Sequence, residues 1–548
     1  EVDELREGGE LPRALLQQVR LGERVVPEAL RWLSPLPRAM ASNNWVVAPG
    51  RTASGHALLA NDPHLETNRL PNVWCEQAFV ITGPPAIEVV CATVPGLPAP
   101  VVGRSRDLAW GATYAFMDAV DSWVEHCRDG RYRRGDAWEE FTVRRERILR
   151  KGKEPVQVTF YENLHGVLDG DPHQEGHYLS TRWSSAESGA RSLMASAGMW
   201  TARTVAEGQA LLGTIETAWS WVLADREGTI GLQMSGLMPR RAPGVSGLVP
   251  RPGWDPAFDW QGFVPPEQLP RALDPEAGYL VTANQDLNDL GVARPSNMPM
   301  GDYRARRIEA LLEGTPAATV EDMQRIQLDV WSQQAADFME VLRPLLPDTE
   351  RARRLAAWDL RYTAQSREAT LFEAFYRELQ LEVFGRGGVG EAVIGHLLDD
   401  TGIFIDFYRN FDRVLLAPTS AWHAGRTRDE VFARSFERVA GSEPEPWGER
   451  NRIELTNIFF AGRLPRWLGF DRGPVAVLGG RATPRQGQVY RSAGRTTSFV
   501  PSLRLVADLG ATGLLTALAG GPSDRRWSRW YASDLEGWIR ERYKRVEP

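Results

Sequence analysis

From Asn43 onward the chain is written in short runs rich in Val, Ile, Trp and Phe, separated by Gly and Pro clusters. That texture restricts it to an architecture built on large sheets. Strands are expected at residues 44–47, 57–60, 73–81, 87–93 and 108–113, with breaks at 82–85 and 95–100. Further strands follow at 156–161 and 219–234, and the charged stretch 129–153 reads as an exposed hairpin turning at 151–153. Residues 240–275 form a Pro-rich connector without helical period. The period then changes: residues 300–313, 320–338, 350–384 and 390–398 place apolar side chains three and four apart, as helices do. Strand texture returns at 475–478, 488–491 and 503–509, and a last helix is expected at 533–543. Residues 1–41 read as an amphipathic helix on Leu11, Leu15, Leu16 and Val19, followed by irregular backbone around Pro35 and Pro37. Strands, then helices, then strands again is an α+β order.

Composition narrows the function classes. Lys plus Arg is 64 against 71 for Asp plus Glu, a net charge of −7, which speaks against a dedicated nucleic-acid binder. With 43% hydrophobic and 25% charged residues the 548-residue chain is an ordered globular one. No apolar run approaches the roughly 20 residues that span a bilayer. The first ten residues have neither a basic nor an apolar signal-peptide region. Cys75, Cys91 and Cys127 are too few and too scattered for a disulfide framework or a zinc site, and read as small buried thiols.

Several motifs that could carry chemistry are weak. His173 and His177 stand four apart, but Pro172 and Gly176 spoil the helix a zinc pair needs, so a solvated loop is expected. The glycines of 385–390 lack the Lys-Ser/Thr of a phosphate cradle and read as a turn. Most of the twenty tryptophans read as core and rim residues.

One segment is different: Ser42-Asn43-Asn44-Trp45-Val46-Val47-Ala48-Pro49-Gly50, followed by Asn61-Asp62-Pro63-His64-Leu65. It resembles the start of the catalytic β-chain of the penicillin acylase family of N-terminal-nucleophile hydrolases, near the cephalosporin and acyl-homoserine-lactone acylase branch. Other strings continue the resemblance in order: Trp110-Gly111-Ala112-Thr113 leading to Asp118-Ala119-Val120-Asp121, Asp259-Trp260-Gln261-Gly262-Phe263, and Gly278 through Asn284. Tyr303-Arg304-Ala305-Arg306-Arg307-Ile308, residues 320–329 and Pro501-Ser502-Leu503-Arg504 complete it, over about residues 42–545. The chain departs from the family at Trp530-Tyr531, where a His-Tyr pair is usual, and at Asn457, where His is usual; both positions read as structural.

The resemblance implies a four-layer αββα sandwich with a helical insertion at about 300–400. It makes residues 1–41 the end of an α-chain and spacer, separated on maturation, and 42–548 the catalytic β-chain, with the α-chain of the same precursor as partner. Periplasmic or secreted location goes with it, as do antibiotic metabolism and a zymogen that processes itself. The implied reaction removes an acyl group from a small N-acyl amine through an acyl-enzyme on Ser42, freed by cleavage at Ala41–Ser42. A serine hydroxyl needs a base, and the new α-amine, with a reference pKa of about 7.7–8.0, can serve. By resemblance the oxyanion donors are the Tyr114 N–H and the Asn284 side chain. His64 orients the nucleophile or the amine, and Arg304 or Arg307 holds Asn284. No cofactor is needed for the chemistry. A structural calcium is implied on Asp118, the Val120 carbonyl and Asp121, with Pro239 and Asp289, ligands of the hard oxygen type. An acyltransferase or cyclase using the same acyl-enzyme, and a non-catalytic scaffold of the same fold, stay open. Leu65 in place of an aromatic wall favours aliphatic acyl chains over a benzyl group.

Overall fold

The computed structural model describes residues 9–20, 41–84, 86–97, 99–186, 189–400, 408–441, 443–460, 462–487, 489–491 and 496–548. Two sheets lie face to face. One runs in the order Tyr279–Thr282, Ala41–Val47, Leu58–Glu66, Leu503–Asp508, Leu514–Leu518 and Lys544–Val546. The other runs Arg271–Leu273, Ile230–Ser235, Trp219–Asp225, Leu108–Tyr114, Val102–Ser105, Ile87–Thr93 and Cys75–Ile81. Period-two alternation explains the layering. In the strand Ala41–Val47, Val46 joins Leu59, Leu505, Ala112 and Val222 in the core shared by the two sheets. Its neighbours Trp45 and Val47 face the other way, onto Ala305, Ile308, Leu312, Met323 and Ile326 of the helices Tyr303–Glu313 and Val320–Gln327. On the far side of the second sheet lie Ala190–Gly198 and Val205–Leu212, with Met199 and Val205 buried against it. The order is therefore helix, sheet, sheet, helix.

Gly111 lets the sheets approach at one point. A Cβ there would lie 2.4 Å from Asn44 Oδ1 and 2.9 Å from Asn61 Cβ, closer than packed atoms come. Two appendages surround the sandwich. Strands within Val120–Trp183 form a third sheet with an exposed arm, whose long hairpin pairs Thr142–Arg150 with Lys153–Asn163. Helices from Gln333–Leu342 to Arg428–Val439 form a separate core around Phe338, Phe372, Phe375, Tyr376 and Phe432.

Several boundaries differ from the sequence expectation. The opening helix shrinks to one turn, Arg13–Leu16, because Val19–Arg20 leaves it to pair in parallel with Gly176–Trp183. Residues 21–40, with Pro35 and Pro37, lie outside the described residues. The expected strand 219–234 is a hairpin, Trp219–Asp225 with Ile230–Ser235. The expected helix 320–338 is two, because Ser332 caps a new helix at Gln333 by accepting the Ala335 N–H. Thr349 and Ser366 cap separate helices within 350–384 in the same way. Within 385–390 the helix carries on with a wide turn only as far as Gly388, whose φ −133° and ψ −112° break it, and Gly390 at φ +110° precedes the next helix. His177 is a strand residue stacked on His126, 4.8 Å between ring centres, and not part of a loop with His173.

Candidate active site

Ser42 is buried near the start of a central strand, opposite Pro63 in the register. The Pro63 carbonyl accepts the Ser502 N–H, so the backbone polar groups of Ser42 turn the other way. On that side the neighbouring strand Tyr279–Thr282 ends opposite Asn44, two residues short of Ser42. The Ser42 N–H and C=O would be orphaned there, and buried backbone groups require partners. Side chains supply them. The Ser42 N–H donates to Asn284 Oδ1 at 2.8 Å, and Arg304 Nη1 donates to the Ser42 carbonyl at 2.7 Å.

Asn284 can do this because the chain turns sharply after Thr282. Its φ is +68°, a left-handed conformation that Asn tolerates better than most residues. The turn swings the amide back beneath Ser42, and its Nδ2 donates to the Tyr114 carbonyl at 2.8 Å. Arg304 fixes the other end. Its Nη1 also reaches Asn43 Oδ1 at 2.7 Å, while Nη2 reaches Ala283 O at 2.6 Å and Asn284 Oδ1 at 2.8 Å. Complete burial pushes its pKa down from the ordinary value. Arg307, one turn on, points elsewhere: it pairs with Asp329 at 2.6 Å and lies over the Trp331 ring. Of the two arginines singled out by the sequence, only Arg304 reaches Ser42 and Asn284.

Tyr114 ends the strand Leu108–Tyr114 and pairs with Trp219. The ladder bond beyond it runs from the Ala115 N–H to the Ala218 carbonyl, so the Tyr114 N–H points away from that neighbour. Two residues earlier the Ala112 N–H points the same way and faces Asn61 Oδ1 at 3.4 Å. By the same alternation the Tyr114 N–H leaves the strand on the same side as the Tyr114 carbonyl, which accepts from Asn284. The Ser42 hydroxyl donates to its own preceding carbonyl, Ala41 O, at 2.6 Å.

His64 is placed differently from expectation. It sits opposite Ala41, on the strand face away from the Ser42 side chain. Its Nδ1 donates to Gln486 Oε1 at 2.7 Å, a tautomer fixed because Gln486 Nε2 donates to Arg481 O. Its Nε2 meets Asp62 Oδ2 at 2.7 Å. Burial pushes His64 down and Asp62 up, each shift disfavouring the charged form of its group. Asp62 also accepts from Asn43 Nδ2 at 3.0 Å, and Asn43 is held by Arg304. The link from His64 to Ser42 thus runs through Asp62, Asn43 and Arg304. Asp62, Asn43 and Gln486 were not singled out from the sequence; the side-by-side pairing of Asn43 with Asp62 follows from the strand register, whereas Gln486 arrives from 422 residues away.

The calcium ligands are only partly brought together. Asp118 and Asp121 converge, but Asp289 is exposed and pairs with Arg294 at 3.1 Å, and buried Pro239 bridges to Phe263. The guanidinium of Arg241 fills the place between the carboxylates. Its Nε donates to Asp121 Oδ2 at 2.8 Å; its Nη2 reaches Asp121 Oδ1 at 2.6 Å, Asp118 Oδ1 at 3.2 Å and Asp118 O at 3.0 Å. Trp260 Nε1 and the Gly247 N–H donate to the same carboxylates at 2.7 and 2.9 Å. Burial opposes the charge of Arg241, yet the two aspartates raise its pKa. Among the described residues no group of three or more His, Cys, Asp or Glu could hold a metal. The residues present do not fit a divalent cation. Elsewhere, Asn457, one of the two departures from the family, donates from Nδ2 to the hydroxyl of Tyr531, the residue next to the other departure, Trp530, at 2.9 Å. Among the described residues no helix is long and apolar enough to cross a membrane.

The structure superposes on that of a thermostable penicillin G acylase from Alcaligenes faecalis with a TM-score of 0.72, covering 92% of this chain and 96% of that one at 19% identity. That likeness establishes the N-terminal-nucleophile hydrolase fold. In sequence the chain is 28% identical, over 92% of its length, to the acyl-homoserine lactone acylase QuiP of Pseudomonas aeruginosa. It is 30% identical, over 86% of its length, to the penicillin acylase 2 proenzyme of Pseudomonas sp. strain SE83. It spans 66% and 62% of the lengths of those two relatives. The sequence profile described as penicillin amidase matches residues 5–547, and the chain belongs to that family.

Proposed function

We propose that this chain hydrolyses linear N-acyl amides through an acyl-enzyme on Ser42, whose amine is released by cleavage of the Ala41–Ser42 bond. The observation that carries the proposal is the convergence on Ser42: one amide side chain, Asn284, spans from the Ser42 nitrogen to Tyr114, with the serine hydroxyl against the Ala41 carbonyl. In the first step Ser42 Oγ attacks the Ala41 carbonyl carbon, the C–N bond breaks, and the acyl group moves from nitrogen to oxygen. Water then hydrolyses the ester and leaves a free α-amine. That amine takes the hydroxyl proton when Ser42 attacks a substrate amide, and returns it to the departing amine. The Tyr114 N–H and Asn284 Nδ2 stabilise the oxyanion, and Arg304 keeps Asn284 turned the right way. His64 and Asp62 hold Asn43, and through it the Ser42 backbone.

The acyl group is an aliphatic chain. Leu65 shares the sheet face of Ser42 and packs half-buried against the inter-sheet core, offering an apolar wall with no ring to stack on. Relatives named for acyl-homoserine lactone and penicillin substrates are consistent with an N-acyl amide. The test is a series of N-acyl amides sharing one amine, compared by kcat/KM. Aliphatic members should exceed the phenylacetyl member, each accommodated methylene adding about 1–3 kcal/mol of discrimination until the pocket is full. No hydrolysis of any member would refute the proposed activity.

A further inference from the structure

The Asp118–Asp121 pair poses a question of charge: a buried carboxylate beside a half-buried one needs cationic compensation, and the metal the family resemblance implies does not fit the residues present. We infer that Arg241 is a built-in substitute for that metal, locking the segment after Tyr114 without a divalent cation.

Four observations carry the inference. First, Arg241 addresses four oxygens of the kind a hard cation would use, both carboxylate oxygens of Asp121, Asp118 Oδ1 and the Asp118 carbonyl, from a side chain only 7% exposed. Second, the Gly247 backbone packs against the same group: its N–H donates to Asp118 Oδ2 at 2.9 Å, and a side chain there would collide with Asp118 Oδ1, Asp121 Oδ1 and the Val120 carbonyl, so only glycine leaves the carboxylates free to meet Arg241. Third, a second positive charge is already nearby. Arg182 stands opposite Asp121 in the strand register and lies 4.5 Å from the centre of the Trp260 ring, whose N–H holds Asp121. The guanidinium fork suits a carboxylate pair better than a point charge does. Fourth, the lock has a purpose in the fold. The Asp118 N–H donates to Pro295 O at 2.8 Å, Met117 bridges to Ser296, and Ser296 in turn exchanges hydrogen bonds with Asn288. Residues 115–118 are thereby clamped to the segment that begins at Asn284, which fixes the spacing of Tyr114 and Asn284. A metal can enter only if Arg241 leaves.

The test is thermal unfolding of the purified full chain with EDTA and with millimolar CaCl2. Wild type should show the same Tm in both. Arg241→Ala should lower Tm by about 3 °C or more in EDTA, and CaCl2 should restore part of the loss, because the vacated carboxylates then accept a hard cation. Arg241→Lys, which keeps the charge but loses the fork, should fall between the two and respond little to calcium. It also serves if the alanine variant does not fold. Three results would overturn the inference: a wild-type Tm that drops in EDTA and returns with calcium, an Arg241→Ala protein as stable as wild type, or a destabilised Arg241→Ala protein that calcium leaves unchanged.

Discussion

Removing the Asn284 side chain separates two effects that the structure places on one residue. The amide accepts from the Ser42 nitrogen and donates to the Tyr114 carbonyl, and the backbone sits at φ +68°. Loss of one preorganised oxyanion donor lowers kcat by about 10²–10³, or about 2.7–4 kcal/mol. Alanine adds a second penalty. A side chain with a Cβ and no compensating hydrogen bond in the left-handed region costs about 1–2 kcal/mol, whereas glycine adopts it freely. Asn284→Gly and Asn284→Ala should therefore lose turnover alike, by two to three decades, but only the alanine variant should suffer the backbone penalty in Tm. The assay is kcat on a single N-acyl amide, normalised to the fraction of protein cut at Ala41–Ser42 by intact mass, since Asn284 also holds the bond that must break. Thermal unfolding is run alongside. Wild-type kcat in the matured Asn284→Gly protein would refute the oxyanion role. Equal Tm in the two variants would refute the backbone argument.

Two further outcomes concern stability. Burial raises the Asp412 carboxyl to about 7, although Tyr376, Gln334 and Tyr303 all donate to it. Its folded pKa lies above its unfolded value, so its stabilising contribution is complete below about pH 4 and is lost as pH rises through about 7. Asp412→Asn should flatten that part of the stability profile in denaturant titrations, and an unchanged slope would contradict the assignment. Gly111→Ala should lower stability by about 1–3 kcal/mol, because the new Cβ would meet Asn44 and Asn61 between the sheets; an unchanged Tm would mean that the sheets can separate there.

Much of the fold was legible because its elements follow simple periods. The alternating strands around Trp45 and Leu59, and the helical spacing after Tyr303, are written in the order of the residues. The outer helices Ala190–Gly198 and Val205–Leu212 were missed because they are short, nine and eight residues, and small residues such as Ala and Gly interrupt their few large apolar side chains. At the site, the motif strings located Ser42, Tyr114 and Asn284, residues that the fold brings together. The choice between Arg304 and Arg307 was not legible. They lie three residues apart on one helix, and only packing sends the first inward beneath Ser42 and the second to Asp329. Arg241 carried no local signal at all: its meaning comes from two aspartates 120 and 123 positions away. His64 was recognisable as a residue of the site but not as one facing away from the serine side chain, because that depends on register. Gln486, which fixes its tautomer, comes from a loop that no period announces.

The central claim is that Ser42 becomes the N-terminus of the working enzyme. It is tested most directly by intact mass and N-terminal sequencing of the protein that carries the activity. A component beginning Ser42-Asn43-Asn44-Trp45 should appear in the wild type, while Ser42→Ala should remain uncut and without turnover. Full turnover from protein whose Ala41–Ser42 bond is intact would contradict the account.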